Sequence, residues 1–433
     1  MCFRSLVVGC QLIANSLELI NKMKPRISPF FALKFRDFRL LWLGLLISRI
    51  GSEMQVVAIN WQIYLLTGSA LSLGIIGLSR FLPVVLFSLL GGIAADIFDK
   101  KKLMGAAQVV MIATSLILAL ATFSGHINPP LIYLLIAIHS TASIFDTPAR
   151  QSIVPSLVPK KYFMNAVGLN TIMWQTAVVL GPAIGGFLIA MHDVGIVYLF
   201  NALSFFAVIL ALLLMEKSAL KPKSAYFNLK SLKEGICFVR RTPMIYSTMF
   251  LDFFATFFAS GTVLLPIFAK DILAVGPKGL GILYSAPAIG AVMAGLLVSS
   301  LGHLKNQGKI LLGAIVLYGL STILFGISKS FYLSLFFLFL TGIGDVVSTI
   351  IRNTIRQLTT PNYLRGRMVS INMIFFYGGP QLGEAEAGIA AAAFGAPISV
   401  VIGGVGTIAA VVILSALVPK LKNYQGDELL VSG

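Results

Sequence analysis

The chain has 433 residues, of which 57% are hydrophobic and only 11% charged, whereas a soluble globular protein carries about 25% charged residues. That balance excludes a water-soluble domain. The formal charge of +17 would suit a nucleic-acid binder if it lay along one face. Here the charges fall in short clusters between long apolar runs, which excludes nucleic acid and makes the lipid bilayer the main solvent.

Residues 1–36 are expected to form a cytoplasmic N-terminal segment. Its residues 5 to 20 are moderately apolar, but Gln11, Asn15, Ser16 and Glu18 make the run too polar to span, and no small-residue cleavage site marks a signal peptide. Met23 opens a basic stretch (Lys24, Arg26, Lys34, Arg36, Arg39). Residues 1–22 therefore read as an extension before the natural start or as a surface helix.

A hydrocarbon layer about 30 Å thick takes roughly 20 apolar residues of helix. Six such runs lie within residues 37–215, at about 40–66, 71–94, 103–123, 130–147, 164–190 and 196–215. Six more lie within 244–418, at about 244–268, 279–301, 310–327, 332–351, 369–393 and 398–418. Between them, 216–243 reads as a cytoplasmic linker, and 419–433 as a cytoplasmic tail. The predicted fold is all-α and polytopic, with about 12 transmembrane helices in two six-helix bundles.

Orientation follows from the basic residues, which collect on the cytoplasmic side of membrane proteins. With the N-terminus inside, 28 of the 33 Lys and Arg fall in cytoplasmic segments, and only Lys270, Lys278 and Lys329 face the other side. Arg49 and Arg80 lie within spans. Both termini are thus expected in the cytoplasm.

The halves resemble one another at a nearly fixed offset. Arg150-Gln151 returns as Arg356-Gln357, Pro159 and Asn170 as Pro361 and Asn372, and Leu73-Gly74-Ile75 as Leu280-Gly281-Ile282. Gly181, Gly185 and Gly186 correspond to Gly383, Ala387 and Gly388, with Glu384 in place of Pro182. Parallel six-span repeats enclose sites near the bilayer midplane.

Ionisable groups at bilayer depth are costly and by default functional. Arg49 and Glu53 lie four apart on span 1 and can neutralise each other on one helix face. Arg80 lies in span 2, Asp252 in span 7 and Asp345 in span 10. Glu384 and Glu386 in span 11 are two residues apart, about 200° around a helix, so they cannot share a face. These seven are the candidates for transport and proton coupling, with Glu53 and a span 11 glutamate preferred. Asp146, four before Arg150, reads as structural, and His139 as a proton shuttle or a neighbour's hydrogen-bond partner. Trp61, Tyr64 and Trp174 read as cavity lining, with Trp61 and Tyr64 equally explained as an interfacial belt.

Two motifs bear on a family. The loop after span 2, Gly91-Gly92-Ile93-Ala94-Ala95-Asp96, followed by Asp99 and Lys100 to Lys102, combines small residues for close helix approach with an acid ahead of cations. Span 5 carries Gly181-Pro182-Ala183-Ile184-Gly185-Gly186, a helix bender among small residues. The first resembles the loop 2–3 signature of the major facilitator superfamily, with Gly92, Asp96, Lys100 and Lys101 in matching positions, although Ile97 stands where a basic residue is usual. The second, through Gly181, Pro182, Gly185 and Gly186, resembles the antiporter motif of exporters in that superfamily. Asp146-Thr147-Pro148-Ala149-Arg150-Gln151, Asn165-Ala166, Arg365-Gly366-Arg367 and Leu382-Gly383-Glu384 narrow the resemblance, over about residues 28 to 418, to the branch containing the enterobactin exporter. It implies proton-coupled export of siderophores or drugs, with import or uncoupled facilitation as the alternative.

Residues 302 to 309 mimic a phosphate-binding loop, but five residues separate the glycines and Ile310 stands where Ser or Thr would bind magnesium. Cys2, Cys10 and Cys237 fit no metal spacing or disulfide framework. The expectation is a non-enzyme of the cell inner membrane, without metal or organic cofactor and driven by the proton gradient. Its expected partners are a small-molecule substrate, protons and lipid. It is expected to be monomeric, with periplasmic or outer-membrane export components as possible co-workers.

Overall fold

A computed structural model describes residues 30–216, 229–301, 305–361 and 364–426. The expectations for residues 1–22 and for the tail beyond 426 lie outside the described residues, as do the side chains of Asp96, Arg365 and Arg367.

The first six membrane helices are α1 (Arg36–Thr67), α2 (Ala70–Ile97), α3 (Lys100–Phe123), α4 (Pro129–Leu157), α5 (Phe163–Met191) and α6 (Val194–Leu214). Their ends carry side-chain caps that free backbone N–H groups would otherwise lack: Ser69, Asp99, Asn128 and Asp193 accept from the first turns of α2, α3, α4 and α6. A surface helix, α7 (Leu229–Arg241), lies within the linker. The second set is α8 (Pro243–Phe258), α9 (Gly276–Leu301), α10 (Gln307–Ile327), α11 (Phe331–Thr359), α12 (Arg365–Phe394) and α13 (Ala396–Leu417).

The seventh span continues past α8 through a 3-10 turn at Gly261–Leu264 and a π turn at Phe268–Ile272. Pro266, which lacks a backbone donor, sits between them. Among the described residues, eleven helices are long and apolar enough to cross a membrane. The twelfth crossing, α12, misses that standard on composition rather than length, because Arg365, Arg367, Glu384 and Glu386 lie along it.

Two predicted spans are too short. Span 4 was expected to end at about 147 and span 10 at about 351, but α4 runs to Leu157 and α11 to Thr359. The cations beyond those points look like loop charges in sequence. In space Arg352 and Arg356 are buried, at 1% and 2% exposure. With Arg150 they leave the cytoplasmic tally, which falls from 28 to 25 and still far exceeds the three on the opposite side.

Within each bundle the helices pack in the same pairs: α1 on α5 and α6, α2 on α4, α3 on α4 and α6, and correspondingly α8 on α12 and α13, α9 on α11, α10 on α11 and α13. The bundles meet along two seams, α2 against α12 and α5 against α9. Each seam crosses at a pair of glycines. A Cβ on Gly388 would lie 2.5 Å from the Gly74 Cα, and one on Gly186 would lie 2.8 Å from the Gly281 Cα. The repeat noted in sequence, Gly74 with Gly281 and Gly186 with Gly388, thus appears in space as two cross-pairs related by the pseudo-symmetry of the halves. All four glycines lie toward the end of the molecule reached by the C-terminus of α1. We call this the far end.

Candidate functional site

The buried charges gather in three places. In the first bundle, Arg49 Nη2 lies 2.9 Å from Glu53 Oε1, one turn on along α1, and the guanidinium stacks 3.6 Å from the centre of the Trp174 ring. The motif of span 5 presses on this pair: a Cβ on Gly181 would lie 2.5 Å from Glu53 Cβ, and one on Gly185 would lie 3.0 Å from Met54 Cα. Gly181 therefore sets how closely α5 approaches the acid, a packing role that a bender alone would not need. Nearer the N-terminal end, Gln108 Nε2 donates to Asp146 Oδ1 at 3.0 Å, and Arg150 Nε lies 3.6 Å from Asp146 Oδ2. His139 lies 3.3 Å from the Thr114 hydroxyl.

The second group bridges the bundles. Arg80 Nη1 on α2 lies 3.5 Å from Glu384 Oε1 on α12. The other oxygen, Glu384 Oε2, is buried without a hydrogen-bond partner, and so is Gln381 Oε1 one turn earlier. The seam is tight here because Gly77 has no side chain: a Cβ would lie 2.7 Å from Glu384 Cβ. Glu386 is half-buried and has no hydrogen bond or ion pair among the described residues. Toward the far end, Asn60 Nδ2 donates to the Tyr284 hydroxyl at 2.7 Å, Ser285 donates to the Val179 carbonyl at 2.8 Å, and the Tyr64 hydroxyl donates to Asp271 at the π turn. Trp61 and Tyr64 are buried core residues, so neither lines an open cavity or forms an interfacial belt. Trp174 is 44% exposed.

The third group lies inside the second bundle and joins three helices. Asp252 of α8 accepts from Arg352 at 2.9 Å and from Arg356 at 3.4 Å, both on α11. Arg352 also reaches Asp345 Oδ1 at 3.8 Å and donates to Thr349 at 2.8 Å. Arg356 donates to Asn353 at 2.8 Å and to Asn372 of α12. Arg352 Nη2 and both Arg356 Nη groups find acceptors, as a buried cation requires, while Arg352 Nε is buried with none among the described residues. Sequence reading offered Asp252 and Asp345 but placed their arginine partners in a loop. The signal was available: Arg352 stands at the repeat position of Asp146, one turn before the matched Arg356.

Neutral polar residues add a seam that sequence reading missed. Ser115 Oγ and Asn201 Nδ2 both donate to Gln55 Oε1, at 2.9 and 2.7 Å. The Tyr198 hydroxyl donates to Gln62, and Gln62 in turn donates to Thr122. Such bonds tie α1, α3 and α6 within a medium that offers no water.

The loop 2–3 residues do less than their pattern suggests. Nothing would lie within 4 Å of a Cβ on Gly92, whereas one on Gly91 would lie 2.5 Å from the Ile144 carbonyl oxygen. The close approach belongs to Gly91. Lys101 Nζ donates to the Met215 carbonyl at 2.7 Å, anchoring α3 to the end of α6, while Lys100 has no partner among the described residues. Asp99 caps α3 by accepting from the Lys102 amide at 3.0 Å. No group of three His, Cys, Asp or Glu suited to a metal occurs among the described residues.

The profile of one family, described as transmembrane secretion effector, matches residues 27–429. The staphyloferrin A transporter of Staphylococcus aureus is 30% identical over 404 residues, covering 91% of this chain and 96% of that protein. The enterobactin exporter EntS of Escherichia coli O1:K1 is 26% identical over 392 residues, covering 90% and 93%. Among solved structures, a bacterial homologue of the human lysosomal transporter Spinster, inward-facing and unoccupied, superposes with a TM-score of 0.68 at 15% identity over 90% of this chain and 96% of that one.

Proposed function

The chain belongs to the transmembrane secretion effector family of the major facilitator superfamily, and we propose that this multi-pass membrane transporter is a proton-coupled exporter of small amphipathic molecules, siderophores or drugs among them. Both termini are cytoplasmic in this reading, so the far end faces away from the cytoplasm and the conformation described is closed on that side. The halves rock about the midplane, opening the far end as the two glycine seams part.

One observation carries the reading. Glu384 reaches Arg80, its one cationic partner among the described residues, across the seam between the bundles, and its second oxygen has no hydrogen-bond partner among them. A carboxylate tied to the opposite bundle by charge holds the bundles together while ionised and loses that tie when protonated, so the charge state of Glu384 biases which end is open. Glu53, held against Arg49 and under Gly181, is a second carboxylate able to exchange a proton for its arginine during the cycle. The names of the relatives, one a transporter and one an exporter of iron-chelating molecules, favour amphipathic metabolites as cargo.

The test is flux in everted membrane vesicles carrying the protein, with an acid-inside gradient imposed or collapsed, using a panel of siderophores and dyes. Gradient-dependent accumulation supports coupled export. Loss of solute from the vesicles, or movement indifferent to the gradient, would replace it with import or facilitation.

A further inference from the structure

The second bundle contains a cavity of about 250 Å³ at the depth of the buried charges. Asp252 and Thr256 of α8, Asp345 and Thr349 of α11, and Tyr377 and Gln381 of α12 face it, with Phe376 and Pro380 completing the wall. What distinguishes this wall is two carboxylates and no cation among its lining residues. The two arginines of the network are 1% and 2% exposed and do not line the cavity; they stand behind Asp252. Asp252 contacts both of them, and its side chain is only 5% exposed. Asp345 is hydrogen-bonded by Thr349 and meets Arg352 only at the longer 3.8 Å, and its side chain is 44% exposed. The Thr256 hydroxyl spends its proton on the Asp252 carbonyl, 2.8 Å away, and the Thr349 hydroxyl already accepts from Arg352. Gln381 Oε1 is buried with no donor at all.

An open carboxylate, an orphaned amide oxygen and aromatic rings call for a ligand that brings its own N–H donors and positive charge. A cation also gains from ring faces, and a charged donor makes the stronger hydrogen bond. A carboxylate or phosphate would meet the Asp345 charge with no cation on this wall, only the neutral Tyr377 hydroxyl and Gln381 amide, to offset it. We propose that the cavity is a subsite for a protonated amine of the transported molecule, with Asp345 taking the charge, Gln381 Oε1 accepting one N–H, and Phe376 and Tyr377 flanking the adjacent apolar group. The inference rests on the transport reading and names a chemical feature of the cargo: a basic nitrogen next to an apolar or aromatic body.

The test compares phenethylamine with 2-phenylethanol, which share shape but not charge, by calorimetric binding to the purified full-length protein in detergent. The wild type should favour the amine by about tenfold or more. Asp345→Asn should bring the two ligands within about twofold while leaving the alcohol's affinity unchanged, which shows that the cavity is intact, and Asp345→Glu should restore the preference. Equal affinities in the wild type, or a preference that survives in Asp345→Asn, would overturn the assignment. The vesicle assay separates this from the parent reading: flux without amine preference removes only the subsite, and amine preference without flux removes only the transport cycle.

Discussion

Replacing Gly281 with Ala tests whether the far end is a closure that parts during the cycle. The added Cβ would lie 3.0 Å from the Gly186 Cα and 3.2 Å from its amide nitrogen, with the Pro182 carbonyl oxygen closer still. Carbon atoms rest at about 3.5–4.0 Å, so α9 and α5 must separate by roughly 0.5–1 Å where both neighbours are backbone and cannot swing aside. Overpacking of this kind costs about 1–3 kcal/mol. If only the far-end-closed state bears the cost, the balance moves toward the alternative by roughly 5- to 150-fold. Ala387, buried at 4% exposure beside the other seam, serves as reporter. It would be changed to Cys in a chain whose Cys2, Cys10 and Cys237 are serines, then labelled with a membrane-impermeant maleimide applied from the far side. Gly281→Ala should accelerate labelling at least fivefold, and its repeat counterpart Gly74→Ala should do the same. Gly92→Ala, with nothing within 4 Å of its Cβ, should leave the rate unchanged. Labelling in Gly281→Ala as slow as in the parent, or as fast in Gly92→Ala, would refute a closure held by these crossings.

Three further outcomes are expected. Glu384→Gln, which keeps size but loses the charge facing Arg80, should abolish the dependence of vesicle flux on the proton gradient while downhill exchange persists; gradient-dependent uptake in the variant would remove Glu384 from coupling. Arg352→Ala strips a fully buried cation from Asp252. Breaking a buried pair costs about 3–5 kcal/mol, so the yield and melting temperature of the purified protein should fall sharply, whereas Arg36→Ala, at a pair whose side chains are 50% and 80% exposed, should stay near wild type. Gly181→Val drives a side chain into Glu53 and should reduce gradient-driven flux as Glu53→Gln does, as paired vesicle measurements on both variants would show.

What the sequence made readable was whatever the bilayer itself demands. Eleven crossings stand out because length and apolarity together are obligatory in lipid. The twelfth falls short on apolarity, with Glu384, Glu386 and other polar residues along it, and its length is what marks it as a crossing. The ends of α4 and α11 were not readable, because a charge at a helix end looks the same whether it meets water or a partner. Arg352 and Arg356 are cations that the repeat aligns with Asp146 and Arg150, but their acid, Asp252, comes from about 100 residues away, and only packing reveals that pairing. The same limit hid Gln55, Ser115 and Asn201, whose neutral side chains signal nothing until three helices bring them together.

The internal repeat carried more than the motifs did. It pointed to Gly74, Gly186, Gly281 and Gly388, and these form the seams, whereas the loop 2–3 pattern pointed to Gly92, which touches nothing. The reason is physical. A repeat preserved in both halves records a contact each half must make with the other, since pseudo-symmetry uses every interface position twice. Where the halves differ, they differ in charge. In the first bundle Arg49 and Glu53 share one helix and are 27% and 17% exposed, so the pair can open by a side-chain rotation. In the second, Asp252 is locked by two buried arginines from a neighbouring helix, so releasing it would strand charges in the core. In the proposed cycle the proton exchanges therefore fall to Glu53 and the seam residue Glu384, with the Asp252 cluster as the frame against which Asp345 faces the cavity.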